Sequence, residues 1–178
     1  SRIFPQMHAP VLVSDGGRLV VRPMRYQCRP AGKPASYDRR YPGTYNARRD
    51  NLEGFWRGQF GHSHGLMVAE TFYENVRGDD GINRVLQFTP RTGEPMYVAC
   101  LVSRWSDPRG QEPDLWSFAA ITDEPEPEVA AVGHDRTIIN LREQHIGAWL
   151  NPEPGNFAAL YAIFDDRQHP YYEHQEAA

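Results

Sequence analysis

PMYVACLVSRW (residues 95–105) and DLWSFAAIT (residues 114–122) are two neighbouring stretches whose composition decides the predicted fold. Both are rich in large and β-branched apolar residues, and turn-forming residues such as Pro, Gly and Asp flank them, which is typical of strands. Apolar residues alternate along the strand-like run from residue 84 to residue 122, and this alternation predicts strands that contribute to the core. The core residues that we expect are Val98, Leu101, Trp105 and Phe118.

Further strand-like segments precede these two, at residues 9–13, 18–26, 65–76 and 84–90. Helical patterns with Gly or Pro near their ends lie at residues 47–59, 126–133, 141–151 and 155–164. Because strands outnumber helices and follow one another, the sequence predicts an α+β fold. We expect a single domain whose curved, mainly antiparallel sheet forms a barrel-like core with peripheral helices. The last twelve residues are expected to be loosely held.

The length of 178 residues and the 40% hydrophobic content are those of one globular domain, which we expect to span residues 1–178. No apolar run is long enough for a membrane-spanning helix, so we expect no membrane association. No leader opens the sequence, and its only cysteines are Cys28 and Cys100. These features favour a reduced, cytoplasmic setting.

Positive charge is concentrated in the first third of a chain whose net charge is −4. Residues 1–60 carry eleven Lys and Arg side chains against four acids, a net charge of +7. Ten of these eleven cations are arginine, which binds phosphate through two parallel hydrogen bonds and stacks on flat rings. Two interpretations stay open, a solvated basic surface and a nucleic-acid contact.

The stretch TYNARRDNLEGFW (residues 44–56) favours the second interpretation. Asn46 stands where a turn precedes the predicted helix, a natural N-cap position. Arg48 and Arg49 then fall in the first helical turn, where the helix dipole disfavours positive charge unless an anion binds there. The pattern therefore predicts a phosphate at this helix end.

Two further motifs hold side chains capable of acid–base chemistry. ETFYEN (residues 70–75) places Glu74 in a strand beside large aromatic residues, where a carboxylate serves as a general acid or base, or simply faces water from an edge strand. VGHDRTIIN (residues 132–140) places His134 at a turn, where it either holds the turn or assists proton transfer. The pair His62 and His64 lacks a convincing third ligand, so we expect no metal.

In order along the chain, these motifs resemble those of the SOS-response-associated peptidase (SRAP) family. The segments that carry the resemblance are MRYQCRP (24–30), YNARRDNLE (45–53), VAETFYEN (68–75), MYVACLVSRW (96–105), FAAIT (118–122), GHDRTIINL (133–141) and AWLNP (148–152). The match covers most of the chain. Although each motif is short, the ordered set with consistent spacing is specific.

The resemblance implies a protein that senses abasic sites in single-stranded DNA and joins itself to them covalently. In this family an N-terminal cysteine condenses with the ring-opened sugar aldehyde to give a thiazolidine. By the same resemblance, Asn46 and Glu74 line the pocket and His134 assists proton transfer. Arg48 holds a flanking phosphate, and the rest of the implied DNA-binding set is Arg25, Tyr26, Arg49 and Thr122.

The resemblance also implies a DNA damage response protein with lyase-like and self-processing peptidase activity. It implies no cofactor, a monomer, and a cytoplasmic location that becomes nucleoid-associated when the protein binds DNA. The family's opening Met-Cys-Gly-Arg is absent from this sequence, so we expect that its N-terminal segment with the nucleophile lies outside the 178 residues. Tyr26, Asn75 and Ile138 also replace the family's Trp, Trp and Pro.

Two function classes therefore stay open. One is a protein that forms the covalent crosslink, and the alternative is a non-catalytic single-stranded DNA-binding protein that keeps the groove without the nucleophile. An unrelated hydrolase that uses Glu74 and His134 is a third, more distant candidate. The first residues of the complete gene product separate the first two classes.

Overall fold

The computed structural model describes residues 2–178 as one α+β domain with 16% helix and 38% strand. Its ten strands are β1 (His8–Asp15), β2 (Arg18–Tyr26), β3 (Asn46–Arg48), β4 (His64–Ala69), β5 (Phe72–Arg77), β6 (Asn83–Pro90), β7 (Met96–Trp105), β8 (Leu115–Asp123), β9 (Thr137–Ile138) and β10 (Tyr172–Glu176). Its four α-helices are α1 (Tyr37–Arg40), α2 (Pro127–Ala131), α3 (Ile146–Leu150) and α4 (Phe157–Asp165).

Five strands close into a barrel, in the order β2-β1-β4-β7-β8, with β8 pairing back to β2. Neighbouring strands are antiparallel except at the closing contact, where β2 and β8 run parallel. The short strand β3 continues along the same edge of β8, also in parallel. The predicted barrel-like, mainly antiparallel core is therefore confirmed.

The long strands β7 and β8 are buried on both faces, which explains their nearly continuous apolar sequence. One face, with Val98 and Phe118, points into the barrel. The other face, with Leu101, packs against the helices, including Trp149 of α3 and Phe164 of α4. The expected core residues Val98, Leu101, Trp105 and Phe118 are at most 2% exposed, so this prediction is confirmed.

A three-stranded sheet, in the order β10-β6-β5, packs against the residues that fill the barrel. Two expectations are wrong here. The predicted strand 65–76 is two strands, because the chain turns at residues 70–71 and β5 joins the second sheet. The terminus is not loose, because β10 pairs with β6 from Tyr172 to Glu176 and the Tyr172 side chain is buried.

The predicted helix 47–59 is also wrong. Asn46, Ala47 and Arg48 pair with Ala120, Ile121 and Thr122 of β8, and a single 3-10 turn and a series of turns follow. Asn46 is therefore a strand residue and not an N-cap, and Arg48 and Arg49 do not lie in the first turn of an α-helix. Residues 47–59 therefore offer no α-helix end at which a phosphate could bind, and that prediction is wrong. Within residues 2–178, no helix combines the length and apolar character needed to cross a membrane.

Candidate active site and nucleic-acid interface

Glu74 and His134 meet at the centre of the candidate site. Glu74 lies on β5, His134 follows α2, and their Oε2 and Nε2 atoms are 2.9 Å apart. The other ring nitrogen of His134 lies 2.9 Å from the carbonyl oxygen of Arg136. In the protonated imidazolium both nitrogens can donate, one to the carboxylate and one to the carbonyl. The hydrogen bond with Glu74 therefore raises the pKa of His134, against the opposing effect of burial.

Asn46 enters the same region from β3. Its Oδ1 atom accepts a hydrogen bond from the Tyr26 hydroxyl at 3.2 Å. The Tyr26 ring stacks on Phe118 with centroids 5.1 Å apart and meets the edge of Tyr45. Burial raises the pKa of the Tyr26 phenol, and the nearby Cys100 and Glu74 contribute to the same shift. The structure thus brings Asn46 and Tyr26 together in the electrostatic neighbourhood of Glu74.

A cleft of about 310 Å³ opens next to this group. Arg48 and Arg136 line it, together with Thr122, whose strand position is opposite Arg48 on β8. The Thr122 residue is 2% exposed, and its Oγ1 atom has no hydrogen-bond partner within residues 2–178. An unpartnered buried hydroxyl is energetically costly, and an anion in the cleft can satisfy it. The cleft is not purely basic, because Asp50, Asp123, Glu124 and Asp135 also line it.

Two of the expected DNA-binding arginines, Arg25 and Arg49, form ion pairs within the protein. Arg49 contacts Asp123 at 2.9 Å and Asp165 at 2.6 Å, and these hydrogen bonds raise its pKa. Arg25 contacts the buried Asp38 at 2.5 Å. Arg48 differs, since its side chain is 53% exposed and its only ion pair within residues 2–178 is with the exposed Asp50. Among these three arginines, Arg48 is therefore the most available to a ligand.

Cationic side chains without an ion pair are found elsewhere on the surface. Within residues 2–178 they are Arg2, Arg18, Lys33, Arg39, Arg40, Arg57, Arg77 and Arg109. Three of them belong to the segment 32–43, which carries the exposed Tyr41. This segment is tied to the end of β2, because Asp38 pairs with Arg25 and Arg29.

Neither cysteine of the sequence is available as a nucleophile. Cys28 and Cys100 are both fully buried. Burial raises the pKa of each thiol to about 12, so the reactive thiolate is not populated near neutral pH.

The two histidines of HSHG do not form a shared face. His62 precedes β4 and is exposed, whereas His64 begins β4 and is buried. The ring of His64 accepts a hydrogen bond from the Gly61 amide and contacts the Trp149 carbonyl oxygen at 2.7 Å. Both ring nitrogens are therefore occupied by hydrogen bonds within the protein. Across residues 2–178, no group of three or more His, Cys, Asp or Glu side chains is arranged to hold a metal ion.

Sequence reasoning missed two features of the site. Arg136 was not selected, although it stands two residues after His134 within the same motif. The hydrogen bond between Tyr26 and Asn46 was also missed, because it depends on β2 and β3 lying along one edge of β8. No local sequence pattern indicates that β2 and β3 pair with the same edge of β8.

Comparison with known proteins agrees with this architecture. The family model described as SOS response associated peptidase (SRAP) matches residues 2–176. No curated protein matches the sequence. Among solved structures, a protein from Bordetella bronchiseptica is 19% identical with a TM-score of 0.76, covering 99% of this chain and 86% of its own.

Two other solved structures share the fold. A protein from Bacteroides thetaiotaomicron has a TM-score of 0.81 at 15% identity, with 97% of this chain and 75% of that chain covered. A phage-related protein from Bordetella bronchiseptica has a TM-score of 0.69 at 16% identity, with 98% and 80% covered. At these identities the likenesses show a common fold and no more.

Proposed function

This chain belongs to the SOS response associated peptidase (SRAP) family, and on that premise we propose that it senses abasic sites in single-stranded DNA and crosslinks to them. Family membership associates the chain with the SOS response and with DNA binding. The observation that carries the finer proposal is the contact between Glu74 and His134, which are 2.9 Å apart. Asn46 is connected to this pair through Tyr26, whose pKa Glu74 helps to raise.

The proposed reaction joins an N-terminal cysteine of the natural protein to the C1′ aldehyde of the opened sugar. The amine attacks C1′ to give a carbinolamine, which loses water to form an imine. The thiol then adds to the imine carbon and closes a thiazolidine, so one water molecule is released overall. Cys28 and Cys100 do not substitute for this residue, because both thiols are buried and protonated.

Glu74 and His134 supply the proton transfers in this scheme. An α-amine is mostly protonated near neutral pH, and a carboxylate within reach can accept a proton from it. His134, whose pKa is raised by Glu74, is poised to protonate the departing C1′ oxygen. A single hydrogen-bonded pair can thus both accept and deliver the protons that the condensation moves.

The adjacent cleft is proposed to hold a phosphate next to the abasic sugar. Arg48 and Arg136 provide charge, and the unpartnered Thr122 hydroxyl provides a neutral donor. Beyond the cleft, the unpaired Lys33, Arg39 and Arg40 offer further contacts to the strand, while the exposed Tyr41 provides a ring for base stacking.

To test the proposal, the complete natural protein is incubated with an oligonucleotide that carries one abasic site. The products are then separated by denaturing electrophoresis. We expect an adduct that survives denaturation and disappears when methoxyamine caps the aldehyde beforehand. Glu74→Gln is expected to slow its formation while DNA binding persists. If a protein that begins with cysteine forms no adduct, the crosslinking proposal fails.

The second candidate function is non-covalent binding of single-stranded DNA. It is supported by the segment 32–43, whose Lys33, Arg39 and Arg40 can contact a strand whether or not a nucleophile is present. If the mature natural protein begins with a residue other than cysteine, we expect binding without an adduct. Sequencing its N-terminus therefore separates the two candidates, and it also shows whether an initiator Met has been removed, as self-processing requires.

A further inference from the structure

We infer that the Tyr26 hydroxyl orients the Asn46 amide so that its NH₂ group faces the pocket, and that Asn46 therefore recognises an acceptor oxygen on the substrate. The inference rests on the proposed function, in which that oxygen is the C1′ oxygen of an abasic sugar. Tyr26 is a positioning residue in this account, because it acts through Asn46. This positioning role takes the place of the DNA contact that the resemblance implied for Tyr26.

The two residues are held together by the sheet and not by chance contact. Tyr26 ends β2 opposite Phe118 of β8, and Asn46 begins β3 opposite Ala120. Residues two apart on one strand project from the same face, so β8 places both side chains on the same side of the barrel wall. Stacking on Phe118 further fixes the Tyr26 ring.

A protonated phenol is the donor that the contact between the Tyr26 hydroxyl and Asn46 Oδ1 requires. Burial above all, together with the nearby Cys100, Glu74 and Tyr45, raises the pKa of Tyr26 above its ordinary value of 10.0, so its hydroxyl keeps its proton at physiological pH. It donates to Asn46 Oδ1 at 3.2 Å. The amide oxygen is thereby occupied, and within residues 2–178 the Asn46 Nδ2 atom donates to no protein acceptor.

An amide that presents only N–H donors selects for oxygen acceptors. A protonated amine has no acceptor and is not a partner for it. A sugar C1′ carbonyl or hydroxyl oxygen is a suitable partner, and it lies at the atom where Glu74 and His134 move protons in the proposed reaction. The chemical class recognised by Asn46 is therefore a neutral oxygen at C1′.

The experiment measures non-covalent binding of the 178-residue chain to two single-stranded oligonucleotides. One carries a natural abasic site, and the other carries a tetrahydrofuran analogue that lacks the C1′ oxygen. We expect the wild type to prefer the natural site by roughly fivefold, as one net hydrogen bond gives. Tyr26→Phe keeps the ring and its stacking but frees the amide, so we expect it to lose most of this preference while affinity for the analogue is unchanged.

A double-mutant cycle separates positioning from a general structural effect. Asn46→Ala alone is expected to abolish the preference, and adding Tyr26→Phe to it is expected to change nothing further. Thermal unfolding of each variant checks that the fold is retained. Asn46→Asp, which replaces the donor with an acceptor of the same shape, is expected to reverse the preference.

The outcomes distinguish the two claims. If the wild type binds no single-stranded DNA, the proposed function and this inference both fall. If the wild type prefers the natural site and Tyr26→Phe keeps that preference, only the inference is overturned. Independent, additive losses from Tyr26→Phe and Asn46→Ala also overturn it, because they show that Tyr26 does not act through Asn46.

Discussion

The Nε2 atom of His134 lies 2.9 Å from the Oε2 atom of Glu74, and this contact joins β5 of the small sheet to the loop between α2 and β9. When the ring is protonated, its Nδ1 also donates to the Arg136 carbonyl oxygen. Both hydrogen bonds favour the charged ring, and the bond to Glu74 has the largest effect. The pair therefore links two parts of the fold, and in the proposed reaction it is the proton carrier.

Glu74→Gln is predicted to lower the pKa of His134 toward the ordinary value of 6.5, because the amide does not attract the imidazolium as the carboxylate does. Titration of the His134 ring proton resonances by NMR measures the change. Since folding raises this pKa, the stabilisation from the charged pair is fully present below pH 6.5 and is lost as the pH rises through the raised value. An unchanged His134 titration in Glu74→Gln contradicts the prediction.

Arg48→Ala is predicted to weaken binding of single-stranded DNA and to reduce the salt dependence, because one phosphate contact is lost. The slope of log affinity against log salt concentration should fall by about 0.7 for one contact to a single strand. Arg57→Ala is the matched control, since Arg57 is exposed and unpaired but lies outside the cleft. Equal effects of the two substitutions argue against a phosphate at Arg48.

How far the sequence predicts this structure depends on whether a feature is local. The barrel strands are predictable because both faces of β7 and β8 are buried, which requires apolar residues throughout. Strand β3 is not, because its pairing with β8 is a long-range contact that overrides the helical pattern of residues 47–59. Strand β10 could not be predicted either, because it lies at a sheet edge and its residues are polar and mostly exposed.

The same distinction applies to the site. Glu74, His134 and Asn46 could be selected from motifs, yet the ion pairs that occupy Arg25 and Arg49 could not be anticipated. Their partners Asp38, Asp123 and Asp165 are distant in sequence or lie in unremarkable contexts. A net charge of +7 over residues 1–60 therefore overstates the charge available to DNA.

His64 is predicted to make the protein less stable in acid. Burial lowers its pKa from 6.5 to about 4, so below pH 6.5 the unfolded chain binds a proton that the folded chain does not. Stability is kept above pH 6.5 and is lost as the pH falls toward 4. Between pH 7 and pH 5 this group alone should remove about 2 kcal/mol from the free energy of unfolding.

Urea unfolding at the two pH values measures the effect. His64→Gln lowers stability at neutral pH but should remove this part of the pH dependence, because glutamine does not titrate. His62→Gln, at the exposed neighbouring histidine, removes only a minor cause of the lowered pKa of His64 and should leave most of the pH dependence in place. If His64→Gln loses as much stability in acid as the wild type, another group is responsible.

Thr122 and Thr137 allow the sharpest test of the cleft, because the two are equally buried and differ in their hydrogen bonds. Each is 2% exposed. The Thr137 Oγ1 atom accepts from the Glu126 amide at 3.0 Å, whereas Thr122 Oγ1 has no partner within residues 2–178. Valine has nearly the same shape as threonine and lacks the hydroxyl, so Thr→Val isolates the hydroxyl at each position.

Thr137→Val is predicted to lower the free energy of unfolding by about 1–3 kcal/mol, because it leaves the buried Glu126 amide unsatisfied. Thr122→Val removes an unpartnered hydroxyl, so stability should stay the same or rise. Its affinity for single-stranded DNA should nevertheless fall, because the hydroxyl is the proposed donor to a phosphate. Urea unfolding and oligonucleotide titration measure the two quantities separately. A loss of stability without a loss of affinity in Thr122→Val would show that the hydroxyl serves the fold and not a ligand.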